Sequence, residues 1–384
     1  MRVCVVAHIF PARSETFVLE HVLGLARKGC QVTVISKHPD TAVSASELAR
    51  IDAEGIRRVY VGDFTSFSTK VGYGLNALRA VRAVMRNPAL HRAFLSKSPW
   101  TLREILIAHA AVRYIRANEF DLVHVHFGDL AARLQFVSSK VKSFPPIVVT
   151  WHGSDANAIP RKLGKDVFAD LFASKARHTV GTQFILDRLV GLGADPRSLT
   201  KIPMGIDVGR FSYRERTLKE GDSFRILSVG RLDEVKGHRY LIDAVAALRR
   251  KGLDISLRIG GDGPLHAALA SQIQDLGVGD RVELIGSIDS DTVVHVMHSA
   301  HRFALTGVET KSGKVENQGV VLQEAQATGL PVVSSRAGGV PESVLDGVTG
   351  VLCEPGDVDA ISHAIEGLSA NKKLLSDYGR SARE

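Results

Sequence analysis

Residues 314–357 read KVENQGVVLQEAQATGLPVVSSRAGGVPESVLDGVTGVLCEPGD. Two carboxylates, Glu316 and Glu324, bracket a glycine-led helix start at Gln318-Gly319. The first turn of such a helix leaves the N–H groups of Gly319, Val320 and Val321 without intrahelical partners, which makes a place for an anion or a polar hydroxyl. Seven residues separate the glutamates, so Glu316 falls in the approach loop and Glu324 on the second turn. A carboxylate accepts two hydrogen bonds from a vicinal diol, so one glutamate can hold a ribose and the other a hexose, with the helix end between them. The pattern reads as a clamp for a sugar nucleotide. A plainer reading is a solvated amphipathic helix followed by a buried strand, Pro331 to Ser334. The next loop, AGGVPE, again brings glycines and a carboxylate to a strand end, and this weighs toward binding.

Outward from that stretch, short β-branched runs alternate with helical segments, the pattern of parallel βα units. Strands are expected at Val3–Ala7, Val32–Ser36, Val59–Val61, Leu122–Val125, Ile147–Trp151, His178–Val180 and Leu199–Ile202. The pattern restarts after a polar stretch, with strands at Phe224–Val229, Ile255–Ile259, Val282–Leu284, Phe303–Leu305, Pro331–Ser334 and Val351–Leu352. Helices are expected at Glu15–Lys28, Gly74–Arg86, Leu102–Ala117, Gln183–Leu192 and His238–Arg250. The 384 residues exceed what one core usually serves. The expectation is an α/β protein of two doubly wound, Rossmann-like halves: 1–206, a linker at 207–222, and 223–384. Ligands of open α/β sheets bind at the carboxyl ends of the strands, so a cleft between two such rims is the expected active site.

Composition narrows the function classes. No apolar run approaches the roughly 20 residues that span a bilayer, and the start lacks a basic leader with a small-residue cleavage pattern, so a cytoplasmic location is expected. Cys4, Cys30 and Cys353 show no metal-ligand spacing and read as buried apolar residues. The formal charge is +8. Between Phe64 and Asn118, nine basic residues stand against the single acid Glu104, a local excess equal to that of the whole chain. Arg79, Arg82 and Arg86 form a stripe opposite Leu78, Val81 and Met85, which suits an anionic membrane surface, an acidic glycan or a lipid diphosphate, or equally a solvated face. Nucleic acid is not expected, because no aromatic residues interleave with the arginines.

The remaining motifs sit at strand ends. GRLDEVKG carries Arg231 and Lys236, a guanidinium fork and a mobile ammonium that together can neutralise a diphosphate without a metal. GGDGP lacks the third glycine of a dinucleotide fingerprint, and a tight turn accounts for it. WHGSD puts His152 and Asp155 at a strand end, where His152 can bond a sugar hydroxyl near the reacting carbon or simply be a satisfied structural histidine. His124 and His126 share a strand face, but no third ligand has a suggestive spacing, so no metal is assigned. Asp289-Ser290-Asp291 precedes a helix and reads as its cap. In HIFPARSET, Ser14 is placed to cap the first helix, and Ser14, Glu15 and Thr16 offer an acceptor-side group or a phosphate site, with Asp155 added to that side.

Taken together, PMGID at 203–207, GRLDEVKG, GGDGP, the Glu316/Glu324 pair, AGGVPE, DGVTG and EPGD resemble the retaining GT-B glycosyltransferases of family four. The resemblance covers nearly all of the second half. In the first half HVHFG and TWHGSD fit, and FPARSETF is similar to the subgroup that builds bacterial exopolysaccharides such as colanic acid and amylovoran. The resemblance implies two Rossmann-like domains facing a central cleft and transfer of a hexose from a nucleoside-diphosphate sugar to a glycan or lipid-linked acceptor. It implies no cofactor besides that co-substrate. By the same resemblance Arg231 and Lys236 bind the diphosphate, Glu324 the ribose, Glu316 the sugar hydroxyls, and His152 the donor sugar near its anomeric carbon, while Gln318, Gly319 and Val320 line the donor site. Two departures stand out. Pro11-Ala12-Arg13-Ser14 replaces the Gly-Gly pair common after the first strand, and the chain stops at Glu384, where relatives continue into a helix that crosses back to the first domain. Either the sequence is a shortened one or the tie between the domains is weaker, and a missing crossover helix is expected to loosen cleft closure. A sugar-nucleotide epimerase of the same architecture and a non-catalytic sugar-binding protein are the alternatives.

Overall fold

Val3-Cys4-Val5-Val6 and Phe303-Ala304-Leu305 have no polar alternation, and each run is buried along its length, as parallel strands covered on both faces must be. The computed structural model describes residues 1–13, 15–41, 43–62, 99–219 and 221–384. Ser14 and the stripe Arg79, Arg82 and Arg86, with its expected helix Gly74–Arg86, lie outside those residues. The chain divides into two units, Met1–Gly181 with Ile185–Ile202, and Thr182–Phe184 with Pro203–Glu384.

In the first unit the strands are β1 (Arg2–Val6), β2 (Gln31–Ser36), β3 (Arg57–Tyr60), β4 (Leu122–His126), β5 (Ile147–Trp151), β6 (Arg177–Val180) and β7 (Leu199–Lys201). They form one parallel sheet in the order β3-β2-β1-β4-β5-β6-β7. Three helices carry the argument below: α1 (Thr16–Arg27), α2 (Gly128–Ser138) and α3 (Ser154–Leu163). α1 lays Val18, Leu19, Val22 and Leu23 on the sheet, an i, i+1, i+4, i+5 stripe buried against Val3, Val5, Val32 and Val34. Its N-cap position belongs to Glu15 and has no side-chain cap hydrogen bond. This differs from the start expected of a Ser14 cap, because the helical turn begins one residue later, at Thr16.

The second unit repeats the plan with β8 (Phe224–Val229), β9 (Ile255–Gly260), β10 (Val282–Gly286), β11 (Arg302–Leu305), β12 (Val332–Ser335) and β13 (Gly350–Cys353). Their order is β10-β9-β8-β11-β12-β13, again parallel. Apolar clusters cover both faces, one around Leu241, Val245, Ile259 and Ile361, the other around Phe303, Leu322 and Val332. The helices used below are α4 (His238–Arg250), α5 (Val320–Ala327), α6 (Val358–Ala370) and α7 (Lys372–Arg383). α6 starts at Asp357, whose carboxylate accepts from Ala360 N at 2.8 Å. In each sheet the strand order reverses once, between β1 and β4 and between β8 and β11, and such reversals are where open α/β sheets bind ligands.

The boundary differs from the expectation drawn from polarity. Residues 207–222 belong to the second unit rather than forming a linker. Phe211 is buried in that unit's core, and the guanidinium of Arg216, itself buried, donates to Thr328 O at 2.7 Å and His298 O at 3.1 Å. A charged residue that satisfies helix-end carbonyls reads as solvent-facing in sequence and is interior in the fold.

Candidate functional site

At the carboxyl edge of the second sheet, the chain leaves β8 through Gly230 and Arg231 and makes a short turn at Glu234–Lys236. It then enters α4 through Gly237 at φ +66°. A Cβ on Gly237 would lie 1.8 Å from the carbonyl oxygen of Thr306, so only glycine lets these two loops touch. Gly261 of GGDGP has the same reason to be glycine, since its Cβ would lie 2.0 Å from Gly230 O. The turn delivers Lys236 Nζ to Glu316 Oε2, where the two form a hydrogen-bonded ion pair. Burial lowers the Lys236 pKa, and the Glu316 carboxylate more than offsets it, so the ammonium is held above its ordinary value. Behind Glu316 stands Gly338 at φ +59°, whose Cβ would strike Glu316 O at 2.0 Å. The AGGVPE loop therefore backs the approach loop by direct backbone contact.

α5 then opens at Gly319, which sits at φ +65° as an N-cap without a side-chain cap, so no residue of its own covers the helix end. Val320 is the first helical residue, and Glu324 lies one turn on, partly buried. Gln318 has a different task. Its amide accepts from Met204 N at 2.8 Å and donates to Met204 O at 2.7 Å and Gln323 Oε1 at 2.8 Å, which ties the PMGID segment to α5. Arg231 is 61% exposed, with its nearest carboxylate oxygen, on Asp233, at 3.9 Å. Asn317 escaped the motif reading. Its amide nitrogen is buried with no hydrogen-bond partner among the described residues, a donor left over between Glu316 and Gln318.

The first sheet's edge is built from other materials. Phe127 follows β4 at φ +77°, a strained value for a bulky residue. Gly128 then packs so closely on Trp151 that a Cβ would lie 1.9 Å from its ring. This brings Gly128 N to Asp155 Oδ2 at 2.8 Å. Asp155 also accepts from Gly153 N at 2.8 Å, Ala156 N at 3.0 Å and His152 N at 3.2 Å. Burial pushes its carboxyl up to about 6 while the N–H donors pull it down. Asp155, expected on the acceptor side, thus has both oxygens committed to the turn that presents His152.

The His152 ring packs against the rings of Phe17, at 4.4 Å, and Phe127, at 4.7 Å. Its Nε2 is 2.9 Å from His126 Nδ1, and His126 Nε2 is 2.9 Å from Nδ1 of His21 on α1. Beside them His124 stacks on His126 at 5.1 Å and bonds Thr150 Oγ1 at 2.7 Å. A third histidine therefore does join His124 and His126, contrary to what their spacing offered. The ligand nitrogens of His21, His124 and His126 lie within 4.8 Å of one another, a set that could hold a cation. Burial lowers all of these imidazoles, His21 to about 4, His124 and His152 to about 3, and His126 further still. Nearby, Glu15 is pushed up to about 7, chiefly by burial, and its Oε2 has no partner among the described residues. Thr16 begins α1 and is partly buried.

Asp289 accepts from Thr292 N at 2.8 Å as an N-cap, and Asp291 pairs with Arg210 at 2.8 Å. Both acids of the DxD sequence are thereby engaged in structure. No described helix is long and apolar enough to cross a membrane.

Residues 14–210 match the family described as Glycosyltransferase Family 4, and residues 209–384 match Glycosyl transferases group 1. Over 330 residues the chain is 33% identical to the GDP-mannose-dependent alpha-(1-6)-phosphatidylinositol monomannoside mannosyltransferase of Mycolicibacterium smegmatis, covering 81% of each. It is 28% identical over 385 residues to the amylovoran biosynthesis glycosyltransferase AmsK of Erwinia amylovora, with 94% of this chain and 88% of that one aligned. Among solved structures, HepE of Anabaena in complex with UDP and glucose superimposes with a TM-score of 0.73 at 16% identity, covering 100% of this chain and 94% of the other. At that identity the likeness is one of fold.

Proposed function

This chain belongs to glycosyltransferase family four and has the GT-B fold, and from that premise we propose that it moves a hexose, with retention and without a metal, from a nucleoside-diphosphate sugar to a glycan or lipid-linked acceptor of a cell-surface polysaccharide. The observation that carries this reading is the Lys236–Glu316 pair beside the uncapped N-terminus of α5. Transfer passes through an oxocarbenium-like state while negative charge grows on the departing diphosphate. Lys236, the exposed Arg231 and the positive end of α5 supply charge and N–H donors where that growth has to be met. Glu316 neutralises Lys236 while the site waits, and its carboxylate can accept hydroxyls when the ammonium turns to phosphate.

Retention fits a leaving phosphate that takes the acceptor proton on the face it departs from. Metal independence fits a site whose cationic groups are side chains and a helix end, and it fits the engagement of Asp289 and Asp291 elsewhere. Glu324, one turn into α5, suits a ribose diol. The relatives named for phosphatidylinositol monomannoside mannosyl transfer and for amylovoran biosynthesis support a lipid-linked or glycan acceptor.

The test is a thermal-shift panel of UDP-, GDP- and ADP-sugars, followed by transfer to a sugar acceptor in the presence of EDTA, with the product's anomeric configuration read by NMR. A donor that stabilises the protein, EDTA-resistant turnover and an unchanged anomeric configuration are expected. Inversion, or abolition of turnover by EDTA, would refute the corresponding part of the proposal, and isomerisation of the donor alone would point to an epimerase.

A further inference from the structure

The amino-terminal ends of β1, β2 and β3 open on a cavity of about 360 Å³, with Arg2, Thr33, Arg57 and Tyr114 in its wall. It lies at the edge of the first sheet opposite to the one that carries His152, a strand's length or roughly 15–20 Å away. Its volume falls among those of small-molecule pockets, about 300–1000 Å³. The register pairs Thr33 with Arg57, so both side chains rise from one face of the sheet. Over that face the helix Leu102–Ala117 supplies Tyr114, and the Arg57 guanidinium stands 5.8 Å from the centre of its ring. A strand covered on both faces is expected to be apolar throughout. Thr33 departs from that rule between Val32 and Val34, at the point where β2 lines the cavity.

Three polar groups of this wall are unmatched among the described residues. The Arg57 guanidinium has no carboxylate or carbonyl partner, the Thr33 hydroxyl makes no hydrogen bond, and the Tyr114 hydroxyl is buried without an acceptor. Polar groups in a protein wall are ordinarily satisfied, so three together call for a reason. The other charges here are engaged. Arg2 donates to Asn118 O at 2.6 Å, and Glu54, the single acid of the wall, accepts from Arg27 at 3.0 Å. The charge left to face the cavity is therefore positive.

We propose that this cavity is a second binding site, for a small phosphate monoester of hexose-phosphate size, with Arg57 as its anchor. All three unmatched groups are donors, and an acceptor-rich anion is their complement. A phosphate monoester brings three terminal oxygens and nearly two negative charges, where a carboxylate brings two oxygens and one charge. A guanidinium held over an aromatic ring keeps its in-plane N–H groups available, which suits the fork to phosphate oxygens. The cavity is larger than a phosphate group, and the side chain of Gln31 in its wall can meet hydroxyls of the esterified body. Open α/β sheets carry out their chemistry at the carboxyl edge, so a ligand at this edge stabilises the first unit rather than reacting. The inference is independent of the transferase reading.

The test is calorimetric titration of the full chain at low salt with glucose 6-phosphate, inorganic phosphate and glucose as probes. Glucose 6-phosphate is expected to saturate one site, inorganic phosphate to bind it about tenfold more weakly, and glucose not to bind. Arg57→Ala should weaken the phosphate ester by about tenfold or more, and Tyr114→Phe and Thr33→Val by about three- to tenfold each. The last two variants remove hydroxyls that have no partner in the protein, so their unfolding midpoints should stay at or above that of the parent. A merely structural role for these hydroxyls would lower the midpoints and leave binding alone. Lys236→Ala separates this site from the phosphate-binding candidate of the second unit and should leave glucose 6-phosphate binding unchanged. No saturable binding of either phosphate up to about 10 mM, binding that survives Arg57→Ala, or binding that Lys236→Ala abolishes would overturn the inference. No sugar nucleotide or acceptor enters the titration, so its outcome decides this point whether or not the chain transfers a sugar.

Discussion

The carboxyl edges of the two sheets are topologically alike and chemically opposed. At the second, a lysine and a glutamate pair beside a helix end with no side-chain cap, and glycines 237, 261 and 338 allow backbones to touch. At the first, burial lowers the pKa values of four clustered histidines, and two phenylalanines pack against one of them, His152. The same fold thus makes one rim that meets charge with charge and another that offers uncharged hydrogen-bonding groups. A charge in an apolar rim would demand its own counter-ion, and a neutral ring beside a phosphate would contribute little.

The contrast can be broken most directly at Lys236. Lys236→Ala should reduce kcat/KM by about 10²–10³-fold while circular dichroism and the unfolding midpoint stay near those of the parent. A folded variant with nearly normal transfer would remove the reason for calling the second rim electrostatic. Gly237→Ala comes next. The φ of +66° and the Thr306 carbonyl 1.8 Å from the new Cβ should lower stability by about 1–3 kcal/mol in urea titrations and displace Lys236 with it. His152→Gln should lower kcat/KM for the sugar nucleotide about tenfold and leave nucleoside-diphosphate affinity unchanged by calorimetry. Equal losses for the sugar nucleotide and the bare diphosphate would erase the distinction between the rims.

The smallest effect is on pH. Imidazoles with folded pKa values near 3 or 4 bind protons less readily than in the unfolded chain, so stability is full above about pH 6.5 and is lost as pH falls from there toward 4. Glu15 and Asp155 are pushed up to about 7 and about 6 and act in the opposite direction, since the folded state takes up their protons first. His178, His238 and His301, lowered to about 4 by burial, add to the loss, so the histidines outweigh the two carboxyls and a net loss of roughly 1–3 kcal/mol is expected between pH 7 and 6. Urea midpoints across that interval measure it, and a rise in stability would mean that these imidazoles are not neutral at pH 7.

All thirteen expected strands form, with ends within two residues of expectation, because a parallel strand buried on both faces must be an apolar run and such runs are visible in a chain. Lys236, Glu316 and Gly319 were legible for a related reason. Each lies at a strand end or a helix start, where spacing alone predicts what is exposed. Gln318 was legible as part of a helix start but not as a tie to Met204, and Asp155 not as the keystone of its own turn, since local sequence does not say where an amide or carboxylate finds its donors. The break at 207–222 was misplaced because Arg216 is polar in composition and buried in fact.

By itself the sequence determined two doubly wound sheets, glycine turns at strand ends, and the basic residues that follow β8, since each depends on neighbours within a few positions. Only the tertiary structure decided that His21, 105 residues from His126, would close a chain of three rings on His152, and that Gly338 would stand behind Glu316. Contacts of that separation depend on how strands are ordered in a sheet, and strand order is set by the packing of the whole unit, which no local pattern encodes.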